Sequence, residues 1–133
     1  MDIQSLQHII DRSPFNRWLG MAVESITPDA VTLTIKWREE LISSPERQTT
    51  HGGILATLVD GAGDYAVAVR LGRAVPTLDL QVDYHRPATP GDLRVVASVV
   101  NLGSTVASAR AQVFDSGGRL LVSGRGLYFV AEK

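Results

Sequence analysis

The sequence predicts an α+β fold in which one antiparallel β-sheet wraps around a single long helix. The stretch from Gly52 to Leu71 is largely apolar on every side, as expected of a helix that is buried all round. Two stretches of alternating apolar and polar residues precede it and four follow it, which is the pattern of half-buried strands. No second helix of comparable length separates the last three strands, so we expect them to form an antiparallel meander. Residues 1–133 are predicted to form one domain.

Two short helices are predicted before the sheet begins. Apolar residues recur at helical spacing in residues 2–12, and a second short helix over residues 15–19 ends at Gly20. Residues 39–50 are mostly polar and include a proline. This segment is therefore expected to be a loop that leads into the central helix.

The strands are predicted from strict alternation and from the turns between them. The first two flank the turn at residues 27–29 and form a β-hairpin. In the third, the even-numbered residues from Leu78 to Tyr84 share an apolar face, and Thr77 lies with the odd-numbered polar residues on the other face. Residues 87–92 turn the chain into the final three strands. The predicted strands cover residues 21–26, 31–37, 76–84, 93–100, 106–114 and 120–130.

Two carboxylates interrupt the apolar helix. Asp60 and Asp64 are four residues apart and therefore lie on one face of it. An ionised carboxylate in a buried helix costs several kcal/mol unless it is paired or hydrated, and no basic residue follows on this helix before Arg70. The helix therefore either borders a wet cleft or carries Asp60 because a reaction needs it. Asp64 is either a hydrogen-bonded neighbour or a second charge that acts on Asp60.

The start of the helix is suited to form an oxyanion hole. Gly52 and Gly53 open it, where backbone N–H groups lack an intrahelical partner and the helix dipole is positive. Without β-carbons they let a ligand approach the backbone closely. Asp60 lies eight residues after Gly52, roughly 12 Å along the axis at about 1.5 Å per residue. One chain can hardly bring both groups to one reacting centre, whereas two antiparallel copies of the helix can. The spacing therefore predicts a dimer whose sites lie across the interface.

Composition and charge exclude several classes of function. The chain has 13 Lys and Arg against 14 Asp and Glu, and the basic residues form no run, so nucleic acid and anionic membranes are not expected as partners. The absence of cysteine excludes disulfides, thiol catalysis and cysteine-ligated metals. The three histidines are scattered, so no metal site is expected. The N-terminus shows neither a signal-peptide pattern nor a long apolar stretch, and a cytoplasmic protein is the expectation.

The chain contains the residue pattern of a dinucleotide-binding fingerprint but not the sequence context that such a site requires. Residues 61–66 match G-x-G-x-x-G/A, and Asp79 and Asp83 follow about twenty residues later. Such a unit requires further βα crossovers, whereas an antiparallel meander follows here. We interpret Gly61 and Gly63 instead as positions where another stretch of backbone packs closely against the helix.

The arrangement of these motifs resembles the hotdog-fold acyl-CoA thioesterases, in particular the PaaI-type (phenylacetate-degradation) and thioesterase-superfamily-member branch. It implies a homodimer with a continuous sheet, usually paired into a homotetramer, that binds acyl-CoA between its subunits. Coenzyme A is then part of the substrate, and no separate cofactor is expected. The motifs that carry the resemblance are His51-Gly52-Gly53 followed by Asp60, then Thr77-Leu78-Asp79-Leu80, and then Tyr84-His85-Arg86-Pro87-Ala88 up to Pro90-Gly91-Asp92.

The resemblance also implies roles for individual residues. Asp60 matches the catalytic carboxylate, which acts as nucleophile or as general base on water. Gly52 matches the N–H donor that polarises the thioester carbonyl, and Gly53 continues the helix start. His51 matches a histidine that orients substrate or water. Thr77 falls where relatives carry a serine or threonine that positions the water or the carboxylate from the facing subunit.

The sequence departs from the family pattern at two places. Relatives often have an asparagine about six residues before the histidine, and here Gln48 or Ser44 is the candidate replacement. Relatives often have a basic residue at the turn position that Ser104 occupies here. The candidate contacts for the coenzyme A phosphates are then Arg86, Arg73 and Arg125.

The resemblance thus implies a thioester hydrolase that acts on a small aryl- or medium-chain acyl-CoA. Two alternatives stay open. One is a hotdog hydratase or dehydratase, which typically pairs a histidine with its acid on a different motif. The other is a non-catalytic acyl-CoA-binding or regulatory module. The predicted catalytic residues are Asp60, Gly52, His51 and Thr77, and the predicted substrate-binding residues are Gly53, Asp64, Arg86 and Gln48.

Overall fold

Residues 1–132, which the computed structural model describes, form three α-helices, one short 3-10 helix and eight strands. The predicted domain ends one residue later, at Lys133, outside the described part. The helices are α1 (Ile3–Ile10), α2 (Pro14–Leu19) and α3 (Gly52–Leu71). The strands are β1 (Ala22–Ile26), β2 (Val31–Ile35), β3 (Ile42–Ser44), β4 (Thr49–Thr50), β5 (Thr77–Tyr84), β6 (Leu93–Leu102), β7 (Val106–Phe114) and β8 (Leu120–Phe129).

Six of these strands form one antiparallel sheet in the spatial order β1-β2-β6-β7-β8-β5. The predicted hairpin of β1 and β2 and the predicted meander of β6, β7 and β8 are both confirmed. β5 precedes β6 in the chain but pairs with β8, at the edge of the sheet. Residues 85–92 therefore cross from the edge strand to the middle of the sheet, instead of forming the simple turn that the sequence predicts.

The prediction of a loop at residues 39–50 is wrong. This segment forms a 3-10 turn, Glu39–Leu41, followed by a small hairpin of β3 and β4. The hairpin turns at Gln48, which adopts a left-handed φ of 55°. Its strands are too short for an alternating pattern to be visible in the sequence. The hairpin leads directly into α3, and the His51 N–H donates to the Leu41 C=O at 2.7 Å.

Helix α3 has the predicted bounds because both of its ends are capped. At the start, His51 Nδ1 accepts a hydrogen bond from the Gly53 N–H at 2.9 Å. At the end, Gly72 adopts a left-handed φ of 79°, and its N–H donates to the Ala68 C=O at 2.7 Å. The caps define the twenty-residue helix around which the sheet is built.

The core lies between α3 and the inner face of the sheet. The prediction that α3 is buried all round holds only in part. Gly53, Thr57, Asp60 and Asp64 recur every three or four residues, and they form a stripe that is exposed or half-buried within one chain. This stripe is the surface of α3 that its own sheet leaves uncovered. The core residues of α3 include Leu55, Leu58, Val59, Ala62, Tyr65 and Ala66.

A buried tyrosine sets how closely α3 approaches the sheet. Tyr128 of β8 is fully buried, and its hydroxyl donates to the Asp60 C=O at 2.8 Å. Gly63 and Gly126 leave the space for this hydroxyl, since a β-carbon at either position would overlap it. The prediction of a backbone packed against Gly63 is therefore wrong, because a side-chain hydroxyl takes that space. The helix runs unbroken through residues 61–66, so this segment is not a turn between a strand and a helix.

Candidate active site

The backbone N–H of Gly52, at the first position of α3, is unpaired among the described residues. The Gly53 N–H donates to His51 Nδ1, and the Ile54 N–H donates to the His51 C=O, both at 2.9 Å. Within residues 1–132 the Gly52 N–H has no acceptor. It is therefore available to a ligand at the positive end of the helix dipole. The structure assigns His51 the role of helix cap, and its predicted role in orienting substrate stays a prediction.

Gly52 opens onto a cleft of about 600 Å³, a volume within the usual range of small-molecule sites. Leu55 and the Tyr84 ring give the cleft an apolar wall, and Arg47 and Arg86 place positive charge on it. The Tyr84 hydroxyl donates to the Gly52 C=O at 2.7 Å. The cleft thus combines an unpaired N–H donor, an apolar surface and two cations.

Asp60 lies outside the lining of this cleft, eight residues after Gly52 along α3. Its Oδ1 accepts a hydrogen bond from the Thr77 hydroxyl at 2.7 Å, and its backbone C=O accepts one from the Tyr128 hydroxyl at 2.8 Å. These bonds fix both the carboxylate and the helix turn that carries it. Oδ2 has no partner among the described residues, which leaves it able to accept a proton from water.

A β-bulge aims Thr77 at Asp60. Thr77 pairs with Tyr128 of β8, and Asp79 pairs with the residue before it, so Leu78 is an extra residue in β5. Paired residues share a face of the sheet, and Tyr128 faces the helix. The prediction that Thr77 shares the face of Asp79 is therefore wrong. Thr77 binds the carboxylate of its own chain, whereas the resemblance implies a water or a carboxylate from the facing subunit.

Asp64 uses one of its oxygens for the fold. Oδ1 accepts a hydrogen bond from the Val75 N–H at 2.9 Å, which ties α3 to the segment before β5. Burial raises the pKa of Asp64 to about 7, and the nearby charge of Asp60 adds to this rise. Of the two roles that the sequence left open, the structure supports the hydrogen-bonded neighbour. Substrate binding by Asp64 stays a prediction.

Both candidates for the absent asparagine are engaged in their own turn. Gln48 Nε2 donates to the Pro45 C=O at 2.8 Å, and the Ser44 hydroxyl accepts from the Arg47 N–H at 3.3 Å. Gln48 also lies outside the lining of the cleft at Gly52. A substrate contact by Gln48 stays a prediction.

Of the three arginines predicted to contact phosphates, Arg86 lines the cleft. One of its guanidinium nitrogens donates to a backbone carbonyl at 2.8 Å, which orients the side chain. Arg73 and Arg125 are engaged elsewhere, the first with a backbone carbonyl at 2.7 Å and the second with a carboxylate at 2.8 Å. Arg47, which the sequence reasoning missed, lines the cleft as well. Its position just before the helix was the one signal that could have indicated it.

The sequence reasoning also missed Tyr84 and Tyr128 as parts of the site. Both alternate with other side chains in their strands, and that pattern predicts only which face a residue occupies. A tyrosine hydroxyl can donate one hydrogen bond, but the sequence does not identify its acceptor. The fold supplies it, as the backbone carbonyl of Gly52 for Tyr84 and that of Asp60 for Tyr128.

Residues 1–132 contain neither a cluster of metal ligands nor a helix that could span a membrane. In this part of the chain, no three histidine or acidic side chains come together in a way that could hold a metal ion. None of the helices formed by the same residues has the length and apolar character needed to span a membrane.

The chain matches a known protein family and has named relatives in it. The family model described as thioesterase superfamily matches residues 48–122, more than half of the sequence. Human acyl-coenzyme A thioesterase 13 is 31% identical over 130 residues, which cover 92% of this chain and 91% of that protein. The medium/long-chain acyl-CoA thioesterase YigI of Escherichia coli K12 is 28% identical over 132 residues, which cover 88% of this chain and 85% of that protein.

Solved structures share the whole architecture. The X-ray structure of a protein from the thioesterase superfamily is 57% identical, with a TM-score of 0.94 over 96% of this chain and 97% of that one. The PaaI protein of the E. coli phenylacetic acid degradation operon gives a TM-score of 0.86 over 97% and 92%, and at 21% identity it shows likeness of fold alone. The predicted hotdog fold is thereby confirmed. With its long central helix and with Gly52, Asp60 and Thr77 inside the matched stretch, this chain belongs to the thioesterase superfamily.

Proposed function

We propose that this protein is an acyl-CoA thioesterase, which hydrolyses a small aryl- or medium-chain acyl-CoA to the free acid and coenzyme A. The observation that carries the proposal is the pair formed by the unpaired Gly52 N–H and the Asp60 carboxylate held by Thr77. The N–H can stabilise negative charge on a carbonyl oxygen. The carboxylate can activate water or attack the carbonyl itself. Relatives named acyl-CoA thioesterases support this reaction class.

The active site is proposed to lie between two copies of the chain. Gly52 and Asp60 are separated by about 12 Å along α3, at about 1.5 Å per residue, which is too far for one reacting group. The uncovered stripe of α3 includes Gly53 and Asp60. Antiparallel packing of two such stripes would bring Gly52 of one protomer near Asp60 of the other.

Strand β5 supports the same assembly. It is an edge strand of eight residues, and an exposed edge is a template for pairing with a second chain. Leu78 and Tyr84 of this strand are 56% and 54% exposed. Pairing of β5 with its copy would extend the sheet across the dimer and place the two α3 helices side by side. In keeping with the family resemblance, we further propose that the dimers pair into a homotetramer and that the protein works in the cytoplasm.

In the proposed reaction, Asp60 Oδ2 removes a proton from water as the water oxygen attacks the thioester carbonyl carbon. Thr77 holds Oδ1 during this step, and the Gly52 N–H stabilises the tetrahedral oxyanion. Collapse breaks the C–S bond, and the proton passes from Asp60 to the departing thiolate. In the other route that the site allows, Asp60 attacks the carbonyl itself and expels the coenzyme A thiolate, which leaves an anhydride on Asp60. Water then hydrolyses the anhydride to the free acid and the Asp60 carboxylate, and the thiolate takes up the proton that is released.

The cleft offers contacts for both the acyl group and the coenzyme A part of such a substrate. Leu55 and the Tyr84 ring offer an apolar surface, while Arg47 and Arg86 complement the phosphates of coenzyme A. The E. coli relative named for medium and long chains supports an aliphatic acyl group. The likeness to PaaI rests on fold alone, so it adds no weight to an aryl group.

Hydrolysis of a panel of acyl-CoA esters, from short to long chain and including phenylacetyl-CoA, tests the proposal through the release of free thiol. The wild-type protein is expected to turn over at least one ester. Asp60→Asn is expected to bind that ester but to lose at least about a hundredfold in kcat, the low end for a general base. Asp29→Asn, which changes an exposed carboxylate in the turn between β1 and β2, is the matched control and is expected to keep its activity.

Three results would contradict the proposal in different ways. Near-normal turnover by Asp60→Asn would remove Asp60 from its role. Binding of acyl-CoA by the wild-type protein without turnover would favour the non-catalytic module. Hydration of a 2-enoyl-CoA without hydrolysis would favour the hydratase.

A further inference from the structure

Tyr84 connects the edge strand β5 to the first turn of α3 through a hydrogen bond from its hydroxyl to the Gly52 C=O. We propose that Tyr84 is a positioning residue, whose hydroxyl holds the start of α3 so that the Gly52 N–H points at the thioester carbonyl oxygen. This inference rests on the proposed thioesterase function, and it adds a residue on which that function depends.

Hydrogen bonds hold both peptide groups that flank Gly52. The C=O of the preceding peptide, which belongs to His51, accepts from the Ile54 N–H at 2.9 Å. The following peptide is held at both ends, because its C=O accepts from the Tyr84 hydroxyl at 2.7 Å and its N–H, that of Gly53, donates to His51 Nδ1 at 2.9 Å. The Gly52 N–H is thus the unpaired donor of a unit whose other groups are fixed.

Such fixing is needed because the site is built on glycine. Two successive residues without β-carbons, Gly52 and Gly53, give the backbone more conformational freedom than other residues would. An oxyanion donor stabilises the transition state only when it is already directed at the developing charge. The bonds through His51 lie within the same turn of the helix. Tyr84 is 32 residues further along the chain, so its bond anchors this turn to the sheet.

Tyr84 also lies where the substrate is proposed to bind. Its side chain lines the cleft together with Arg86 and is 54% exposed. The ring lies against Gly52, 3.4 Å from the place of a β-carbon. Tyr84→Phe therefore keeps the ring contact and removes only the hydroxyl. Because Gly52 and Tyr84 both line the cleft, water in the cleft can satisfy the Gly52 C=O in the variant, and the folded state is expected to keep its stability.

Steady-state kinetics of Tyr84→Phe test the inference against a matched control. The control is Tyr65→Phe, which removes a hydroxyl that is also engaged at 2.7 Å, with Asn16 in the core. Tyr84→Phe is expected to lower kcat roughly three- to tenfold, the scale of one net hydrogen bond. KM is expected to stay unchanged, because the lost interaction acts in the transition state. Tyr65→Phe is expected to keep the wild-type kcat.

A second readout does not depend on activity. Amide hydrogen exchange at Gly53 and Ile54, the hydrogen-bonded donors of this turn, is followed by NMR and is expected to be faster in Tyr84→Phe and unchanged in Tyr65→Phe. Affinity for a thioether analogue of the substrate, which lacks the carbonyl oxygen, is expected to be the same in Tyr84→Phe and in the wild-type protein.

The outcomes separate this inference from the proposal on which it rests. An active wild-type protein together with unchanged kcat and unchanged amide exchange in Tyr84→Phe would overturn the role of Tyr84 and leave the thioesterase intact. A rise in KM with unchanged kcat would also overturn it, because Tyr84 would then be an ordinary binding residue. A wild-type protein that hydrolyses no ester would overturn the proposed function itself, whatever the exchange rates of the variant.

Discussion

Asp60 and Asp64 lie one turn apart on α3, and different parts of the chain hold them. A side-chain hydroxyl, that of Thr77, binds Asp60 and leaves its second oxygen unpaired among the described residues. A backbone N–H, that of Val75, binds Asp64, and burial favours its neutral form. Two carboxylates on one helix face thus have environments that suit different tasks. We expect Asp60 to serve the reaction and Asp64 to serve the fold.

The raised pKa of Asp64 predicts how stability depends on pH. The pKa rises from its ordinary value of 3.8 to about 7 on folding, so between these values the folded protein binds more protons than the unfolded chain. Stability is then highest below the lower value and falls as pH rises through the upper one. A difference of about three pKa units corresponds to at most about 4 kcal/mol in the free energy of unfolding, at ~1.36 kcal/mol per pKa unit. Asp64→Asn keeps an acceptor for the Val75 N–H and removes this dependence.

Urea unfolding of Asp64→Asn and the wild-type protein at several pH values checks this prediction. The variant is expected to gain stability over the wild type as pH rises from about 4 to about 8, with most of the gain reached just above the folded pKa. A difference between the two proteins that does not change with pH would show that the charge of Asp64 does not limit stability.

At the scale of elements, hydrophobic patterns predicted the three helices and the six strands of the main sheet, because each of them buries an apolar side. The failures rest on single residues. An alternating pattern cannot show that Leu78 is an extra residue, so it assigned Thr77 to the wrong face. Nor can it reveal the hairpin that turns at Gln48, because so short a segment has no period.

The candidate site was predictable where local sequence carries its chemistry. Gly52 was indicated by its place at a helix start, and Asp60 by a charge in an apolar helix. Tyr84 and Arg47 were not, because their contacts depend on how β5 and the small hairpin pack around the start of α3. Contacts between elements distant in sequence leave no local pattern to read.

The surroundings of two neighbouring glycines of α3 predict different effects of an alanine substitution on stability. Gly63→Ala would place a methyl group on the Tyr128 hydroxyl, and such overpacking is expected to cost about 1–3 kcal/mol. Gly61→Ala would meet the flexible end of Met21 at 3.2 Å and gains up to about 1 kcal/mol of helix propensity. Thermal unfolding is therefore expected to show a lower Tm for the first variant and an unchanged or higher Tm for the second.

Tyr128→Phe tests the cause of that difference. Adding it to Gly63→Ala removes the overlapping hydroxyl, so part of the lost stability is expected to return. Equal stability of the single and double variants would place the strain elsewhere in the contact between α3 and β8.

At the scale of the whole molecule, the open edge of β5 and the uncovered stripe of α3 are both surfaces against which a second copy of the chain could pack. A variant that lacks the proposed oxyanion donor can test where the site lies. Gly52→Pro removes the N–H at the first position of α3, where proline is well tolerated. His51 has φ −56° and ψ 130°, a conformation allowed before proline, so this variant is expected to fold.

Mixed dimers of Gly52→Pro and Asp60→Asn chains then decide whether one site uses two protomers. Each variant alone is expected to be nearly inactive, because both of its sites lack a donor or a carboxylate. If each site takes Gly52 from one protomer and Asp60 from the other, the heterodimer has one intact site and one site that lacks both groups. Purified heterodimers, isolated with two different affinity tags, are therefore expected to show about half of the wild-type kcat per dimer. If both groups came from the same chain, neither site of the heterodimer would be complete, and dimers of proven mixed composition would stay as inactive as their parents.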